Sequence, residues 1–370
     1  MTASRILRGS LALVAVAACA RGTTSSSIAP SPASAARSAT GAQVVTAASV
    51  RSILSALADD SMQGRGTGTV GSERAARFIA GRMQDIGLVP AGDSGYFQRV
   101  PMALAQGRRG MSPTLLPSFD ALDTIPAARR LHGVNVVGVL PGSDPALSNE
   151  VVLIDAHYDH LGIRTVGRDG KPLPAGSDTI YNGADDDGSG TTAVLEIARM
   201  MKAGAPPKRT IVFLTTTGEE VGLLGTRWYI EHPVRPLAQT VANMEIEMIG
   251  RPDSLAGGPG KAWLTGYERS TMGDMLAANG IPIVPDRRPD QHFFERSDNI
   301  AFARMGIPAH TLSSFNLHAD YHQPSDDITK VDFDHMAGVI NAAVRAVELL
   351  ATGPKPEWHP GGRPEAPTRR

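Results

Sequence analysis

Residues 72–87 (SERAARFIAGRMQDIG) set Ala75, Phe78, Ile79, Met83 and Ile86 at helical spacing, and Gly87 supplies a stop. Gly133–Leu140 and Val151–Ala156 are short apolar runs bounded by turn residues, so they predict buried strands. Ser189–Ala203 predicts a helix and Thr210–Thr216 a third buried strand. Val221–Ile230 predicts a short helix, Val241–Met248 alternates like a strand, and Ala309–Ser313 is a further strand candidate. Asp334–Leu350 reads as a long amphipathic helix. Residues 101–132 follow no period and are expected to form a loop excursion. Strand and helix patterns alternate without internal repeats, which predicts an α/β layer fold around a largely buried sheet.

The ends of the chain read differently. Arg5 and Arg8 precede a ten-residue apolar run, Gly9 to Ala18, too short to span a bilayer. Residues 1–18 therefore read as an export signal. The run ends Val16-Ala17-Ala18-Cys19, which resembles a bacterial lipobox. Lipidated Cys19 would then anchor the exported protein to a bacterial membrane, on the periplasmic side or at the cell surface. An ordinary cleavage site with an incidental cysteine is the competing reading. Residues 19–46 are rich in Ser, Ala and Thr and read as a flexible tether. Residues 47–352 form the expected domain, and 353–370, rich in Pro, Gly and Arg, an expected disordered tail.

Composition narrows the chemistry. The 370 residues carry 36 Lys+Arg against 37 Asp+Glu, a formal charge of −1. That balance gives no reason to expect a nucleic-acid partner. The single cysteine removes intrachain disulfides and cysteine-based zinc clusters. A metal here must sit on His and carboxylate ligands. Gly66-Thr67-Gly68-Thr69-Val70-Gly71 fits a dinucleotide fingerprint, but a polar loop precedes it where that motif needs a strand.

Acidic residues and histidines fall where predicted strands end: Ala156-His157-Tyr158-Asp159-His160, then Gly183–Gly190 (GADDDGSG), Gly218-Glu219-Glu220 and Glu245-Ile246-Glu247. Tyr321-His322 comes late, with Asp326 four residues on. Ligands bind beyond the carboxyl ends of strands in open α/β sheets. Acids converging there repel one another unless cations neutralise them. His157, Asp186, Glu220, Glu247 and His322 would supply ligands for a pair of zinc ions. Adjacent Glu219 and Glu220 cannot point the same way on an extended backbone, so the one that is not a ligand is a natural general base. His160 is a possible pocket residue, three positions from a proposed ligand. Each piece also has a plainer reading: a hydrogen-bonded His157, a helix-capping Asp185–Asp187 run, a solvated Glu pair. His132, His232, His335 and His359 read as structural or surface residues. No H-E-x-x-H or G-x-S-x-G motif is present.

The joint order of AHYDH (156–160), GADDDGSG (183–190), GEEVGLLG (218–225), NMEIEMIG (243–250), RSD (296–298) and YHQPSDD (321–327) resembles the M28 family of zinc peptidases, in particular its bacterial aminopeptidases. The resemblance covers roughly residues 50–350. It implies a three-layer α/β/α sandwich around a mixed, mostly parallel sheet, with no large inserted domain. It implies His157, Asp186 (bridging), Glu220, Glu247 and His322 as ligands of two zinc ions and Glu219 as general base. It implies Asp159 as the carboxylate that orients His157. Glu247 stands where many relatives have Asp, Gly218 where Ala is common, and Asn299 where His is frequent. The last change bears on pocket charge. The expected activity is a metallo-aminopeptidase acting on peptides. The alternatives are a carboxypeptidase, with Arg296 as its candidate carboxylate-binding cation, a glutaminyl-cyclase-like enzyme, or a non-catalytic lipoprotein that binds peptide or zinc.

Overall fold

The computed structural model describes residues 44–107, 110–167 and 170–366. The proposed export signal, Cys19 and nearly all of the tether lie outside these residues. The chain opens with helix α1 (Ala47–Leu57), capped by Thr46, whose side chain accepts from the Ser49 amide while Ser49 reaches back. Helix α2 (Val70–Ile86) ends at Gly87, which adopts φ +79° and donates to Met83 and Gln84 carbonyls. Strands β1 (Val89–Pro90), β2 (Phe97–Gly107), β3 (Gly110–Leu115), β4 (Arg130–Leu140) and β5 (Val151–His157) follow. A small ribbon pairs β6 (Gly162–Ile163) with β7 (Ile180–Tyr181). Next come α3 (Gly190–Ala203), β8 (Thr210–Thr216), α4 (Leu224–Glu231) and β9 (Thr240–Ile246). The last third contains β10 (Ala262–Leu264), α5 (Thr271–Ala278), β11 (Ile283–Pro285), α6 (Asn299–Arg304), β12 (Ala309–Ser313) and α7 (Phe333–Thr352).

Ten strands form one mixed sheet in the order β11-β10-β12-β9-β5-β8-β4-β2-β3, with β1 beside β4. The centre is parallel: β12 with β9, β9 with β5, β5 with β8. The β4 side is antiparallel throughout. Alternation along β5 builds the layers. Val152, Ile154 and Ala156 join a core filled by α1, α2, α3 and α7. Val151 and Leu153 face the opposite core, made with Tyr229 of α4 and Ile300, Phe302 and Ala303 of α6. Helices thus cover both faces, the expected α/β/α sandwich.

Two expectations are corrected. Residues 101–132 are not a loop excursion: most of β2 and all of β3 lie there, paired from Met102–Leu115 to Gly107–Gly110. The hairpin sits at the sheet edge, where one face needs no continuous apolar run, so its signal is weak. The tail is also ordered where it is described. Glu357 accepts the Thr271 amide, the Trp358 indole donates to Gly306, and the His359 amide donates to Arg269. Those bonds give a Pro- and Gly-rich segment the partners its composition hides.

His310 of β12 is fully buried, with Nδ1 donating to the Thr265 carbonyl at 2.7 Å and Nε2 2.6 Å from Ser270 Oγ. Burial lowers its pKa to about 4, so the ring is neutral in the fold. The unfolded chain binds the proton near pH 6.5. Stability is therefore complete above that pH and is lost as pH falls from about 6.5 toward 4. Denaturant titrations should show about 3 kcal/mol less acid loss between these limits for His310→Gln. Equal slopes in both proteins would remove His310 as the cause.

Candidate metal centre

The parallel strands β5, β8 and β9 end at the same edge of the sheet, which is why residues distant in sequence meet there. His157 is the last residue of β5. Glu219 and Glu220 lie in the turn after β8, and Glu247 follows β9. Asp186 lies in the turn that feeds α3, and its peptide bond to Asp187 is cis. His322 arrives from the loop beyond β12, its ring stacked on Tyr321 at 3.9 Å.

Asp186 is the shared member of two groups. In one, His157, Asp186 and Glu247 bring donor atoms within 4.8 Å of one another, with His157 Nε2 3.4 Å from Asp186 Oδ1. In the other, His160, Asp186 and Glu220 do the same. His322 Nε2 adds to that second group, 3.1 Å from Asp186 Oδ2 and 3.3 Å from Glu220 Oε2. All five sequence-predicted ligands are thus brought together. His160 joins them as a full member, although its sequence position marked it only as a possible pocket residue.

The two glutamates diverge as expected. Glu219 Oε2 lies 4.0 Å from His157 Nε2, on the Glu247 side, whereas Glu220 turns to His160 and His322. Asp159 stands beside both His157 and Glu219. Its Oδ1 lies 4.0 Å from His157 Nδ1, which also meets the Asp159 main-chain carbonyl at 3.0 Å. The carboxylate accepts from Thr67 Oγ1 at 2.6 Å and from the Glu219 amide at 3.1 Å, so it fixes the backbone that carries Glu219. The turn after β5 brings the carbonyl closer to the ring than the side chain.

The three consecutive aspartates divide their work. Asp187 Oδ1 accepts the Gly190 amide at the start of α3 and the Met248 amide. Asp185 Oδ1 accepts the Gly250 amide, and its Oδ2 faces His318 Nε2 at 3.0 Å. The plainer capping reading therefore holds for Asp187, Asp185 instead holds the loop after β9, and Asp186 alone turns inward. Asp326 accepts the amides of Asp185 and Asp186 and is held by Arg251. Gly190 lets α3 approach β9, since a Cβ there would lie 1.9 Å from the Ile246 carbonyl.

Two features were not anticipated from sequence. Arg65 is fully buried and donates to the carbonyls of Leu57, Tyr158, Asn182, Gly183 and Asp186. Behind the site, Asp155, Glu245 and Asp298 form a buried acidic group. Glu245 accepts from Ser297 Oγ, Thr311 Oγ1 and the amides of Asp298 and Asn299, while burial pushes Asp298 up to about 7. Asn299 is buried with its amide on Glu245 and its side-chain nitrogen on the Phe294 carbonyl. It does not line the pocket, which corrects the expected effect on pocket charge. The β5–β9 register that pairs Asp155 with Glu245 is a tertiary fact with no signal in either strand alone.

The donor set fits a cation. His157 Nε2, His160 Nδ1, Asp186 Oδ2 and Glu220 Oε1 are buried without a hydrogen-bond partner among the described residues. Each such orphan costs about 1–3 kcal/mol unless something else satisfies it. Electrostatics show the same tension. Burial pushes Glu219 well above the usual carboxylate range and Glu247 to about 8. Burial and Asp186 push Glu220 up, but His160 and His322 outweigh them and hold it at about 2. Burial lowers His322, but Asp186 and Glu220 raise it to about 9. Imidazole and carboxylate donors in this number suit zinc. Beside Glu247 opens a pocket lined by Met248, Trp263, Phe293, Phe315 and Tyr321, with exposed Arg296 at its edge.

A family model described as peptidase family M28 matches residues 135–347. The vacuolar membrane protease of Aspergillus clavatus is 29% identical over 213 residues, which are 57% of this chain and 19% of that protein. The matched stretch is thus about a fifth of that relative. Among solved structures, a zinc aminopeptidase from Bacillus subtilis superposes with a TM-score of 0.59 at 17% identity, covering 85% of this chain and 97% of that one. The glutaminyl cyclase of Porphyromonas gingivalis gives 0.56 at 17% identity, covering 83% and 99%. Likeness at that identity speaks to the fold, and both share this three-layer architecture.

Proposed function

Because the chain belongs to peptidase family M28, we propose that it is a zinc-dependent exopeptidase that removes residues from free N-termini of peptides. The observation that carries this reading is the pair of donor groups sharing Asp186, with Glu219 beside one of them and an apolar pocket adjoining Glu247. His157, Asp186 and Glu247 would hold one ion, and Asp186, Glu220 and His322 the other. Zinc bound there supplies Lewis acidity toward the scissile carbonyl and makes water nucleophilic near neutral pH.

The chain's own residues do the rest. Glu219 accepts a proton at its carboxylate and returns it to the leaving amine nitrogen. Asp159 holds the Glu219 amide and so fixes where that carboxylate stands. Glu247 and its neighbouring acids attract the substrate's α-ammonium group. The pocket of Trp263, Phe293, Phe315 and Tyr321 takes the first side chain and excludes water from it. Arg296, the cation a carboxypeptidase would use, is exposed and lies over the Phe293 ring, its carbon 5.0 Å from the centroid.

The test uses short peptides, free or N-acetylated, with zinc or with a chelator, read by mass spectrometry. Stepwise loss from free N-termini, stopped by chelator and by acetylation, is expected. Shortening from the C-terminus would replace the reading with a carboxypeptidase. Cyclisation of N-terminal glutamine without shortening would replace it with cyclase chemistry.

A further inference from the structure

We propose that His160 is a further metal ligand, acting with Asp186, Glu220 and His322, so that the two halves of the site are unequal. The inference rests on the metallopeptidase reading above and deepens it. His160 Nδ1 stands 2.7 Å from Glu220 Oε1 and 3.8 Å from Asp186 Oδ2. The shorter contact lacks hydrogen-bond alignment, because both of its atoms are buried without a hydrogen-bond partner. A cation seated between this nitrogen and this carboxylate oxygen would satisfy both. His322 Nε2 approaches the same two carboxylates. Donors placed about 2.0–2.2 Å around one zinc ion lie roughly 3–3.6 Å from one another; the two His322 distances fall in that range, and those of His160 lie a few tenths of an ångström on either side of it.

The placement of His160 is built into the fold. Its amide donates to the Arg65 carbonyl at 3.3 Å, and its backbone bridges to Gly66. Its ring lies against Gly183, where a Cβ would come within 2.5 Å of two ring carbons. Gly183 also holds φ +56°, so backbone conformation and ring space both favour glycine there. His160 is 2% exposed, which leaves the ring no alternative orientation into solvent.

The consequence is a division of labour. The half built from Asp186, Glu220, His160 and His322 has four protein ligands, the number that closes a zinc site. The half built from His157, Asp186 and Glu247 has three and keeps a position open toward the pocket beside Glu247. The four-ligand half fills first and releases its ion last.

The metal-depleted full chain is loaded with one equivalent of Cu(II), and pulsed electron paramagnetic resonance counts the coordinated imidazoles. Two are expected in the wild type and one in His160→Phe. One imidazole in the wild type overturns the proposal, and that readout needs no variant to fold. Calorimetric titration with zinc should show the first equivalent weakened about 100-fold in His160→Phe, with the second unchanged. Equal first-site affinity overturns the proposal. A chain that binds two zinc ions and trims peptides but shows one imidazole removes His160 alone. A chain that binds no zinc removes the metallopeptidase reading with it.

Discussion

Glu219→Gln should lower kcat about a thousandfold while leaving zinc stoichiometry unchanged, because general-base catalysis is worth about 10²–10⁴. The substitution is nearly isosteric, and it removes only the ability to take a proton. Its backbone anchor, the amide bonded to Asp159, is untouched. Neither donor group includes Glu219, so both keep their members. Steady-state kinetics on the free peptide and metal analysis of the same sample decide the matter. Activity within tenfold of wild type would move the base elsewhere. Lost zinc would make Glu219 a ligand instead.

Arg65→Met should destabilise the fold by about 4 kcal/mol and weaken zinc binding at least tenfold. Breaking a buried charged hydrogen-bond network costs about 3–5 kcal/mol because the partners stay buried and unpaired. Arg65 joins carbonyls from the end of α1, from the turn after β5 and from the turn carrying Asp186. It thus ties the turn after β5 and the turn carrying Asp186 to one planar group. Its charge faces Asp186, Asp187, Asp326 and Asp159, which offsets part of its burial cost. Arg65→Lys should rescue little, because an ammonium cannot reach these separated acceptors as a guanidinium fork does. Denaturant midpoints and zinc titrations of the three proteins provide the check. Full rescue by lysine would show that charge alone matters there.

The legible parts of the fold were those with strong local pattern. The buried runs at 151–156 and 210–216 and the amphipathic stretch at 334–350 became β5, β8 and α7 with ends shifted by two residues at most. The edge hairpin β2–β3 was missed, because an edge strand with one open face carries little apolar signal. The ordered tail was missed for a related reason. Its hydrogen bonds go to Arg269, Thr271 and Gly306, which composition does not reveal.

The site divides in the same way. The candidate donors were readable because acids and histidines sat at predicted strand ends, and parallel strands gather those ends at one edge. Which of three consecutive aspartates turns inward was not readable from spacing alone. In the structure Asp187 takes the Gly190 amide at the start of α3 and the Met248 amide, and Asp185 the Gly250 amide, so that Asp186 remains.

The sequence by itself determined the residue types, the layer fold and the strand ends where chemistry gathers, because periodicity and turn residues are local properties of the chain. Only the tertiary structure decided that His160 faces the same carboxylates as His322, that Asp159 holds the Glu219 amide as well as standing beside His157, and that Arg65 holds the turns together. Those outcomes depend on register, on backbone approach at Gly183 and on which carbonyls are left without partners. They exist only once strands from distant parts of the chain lie side by side.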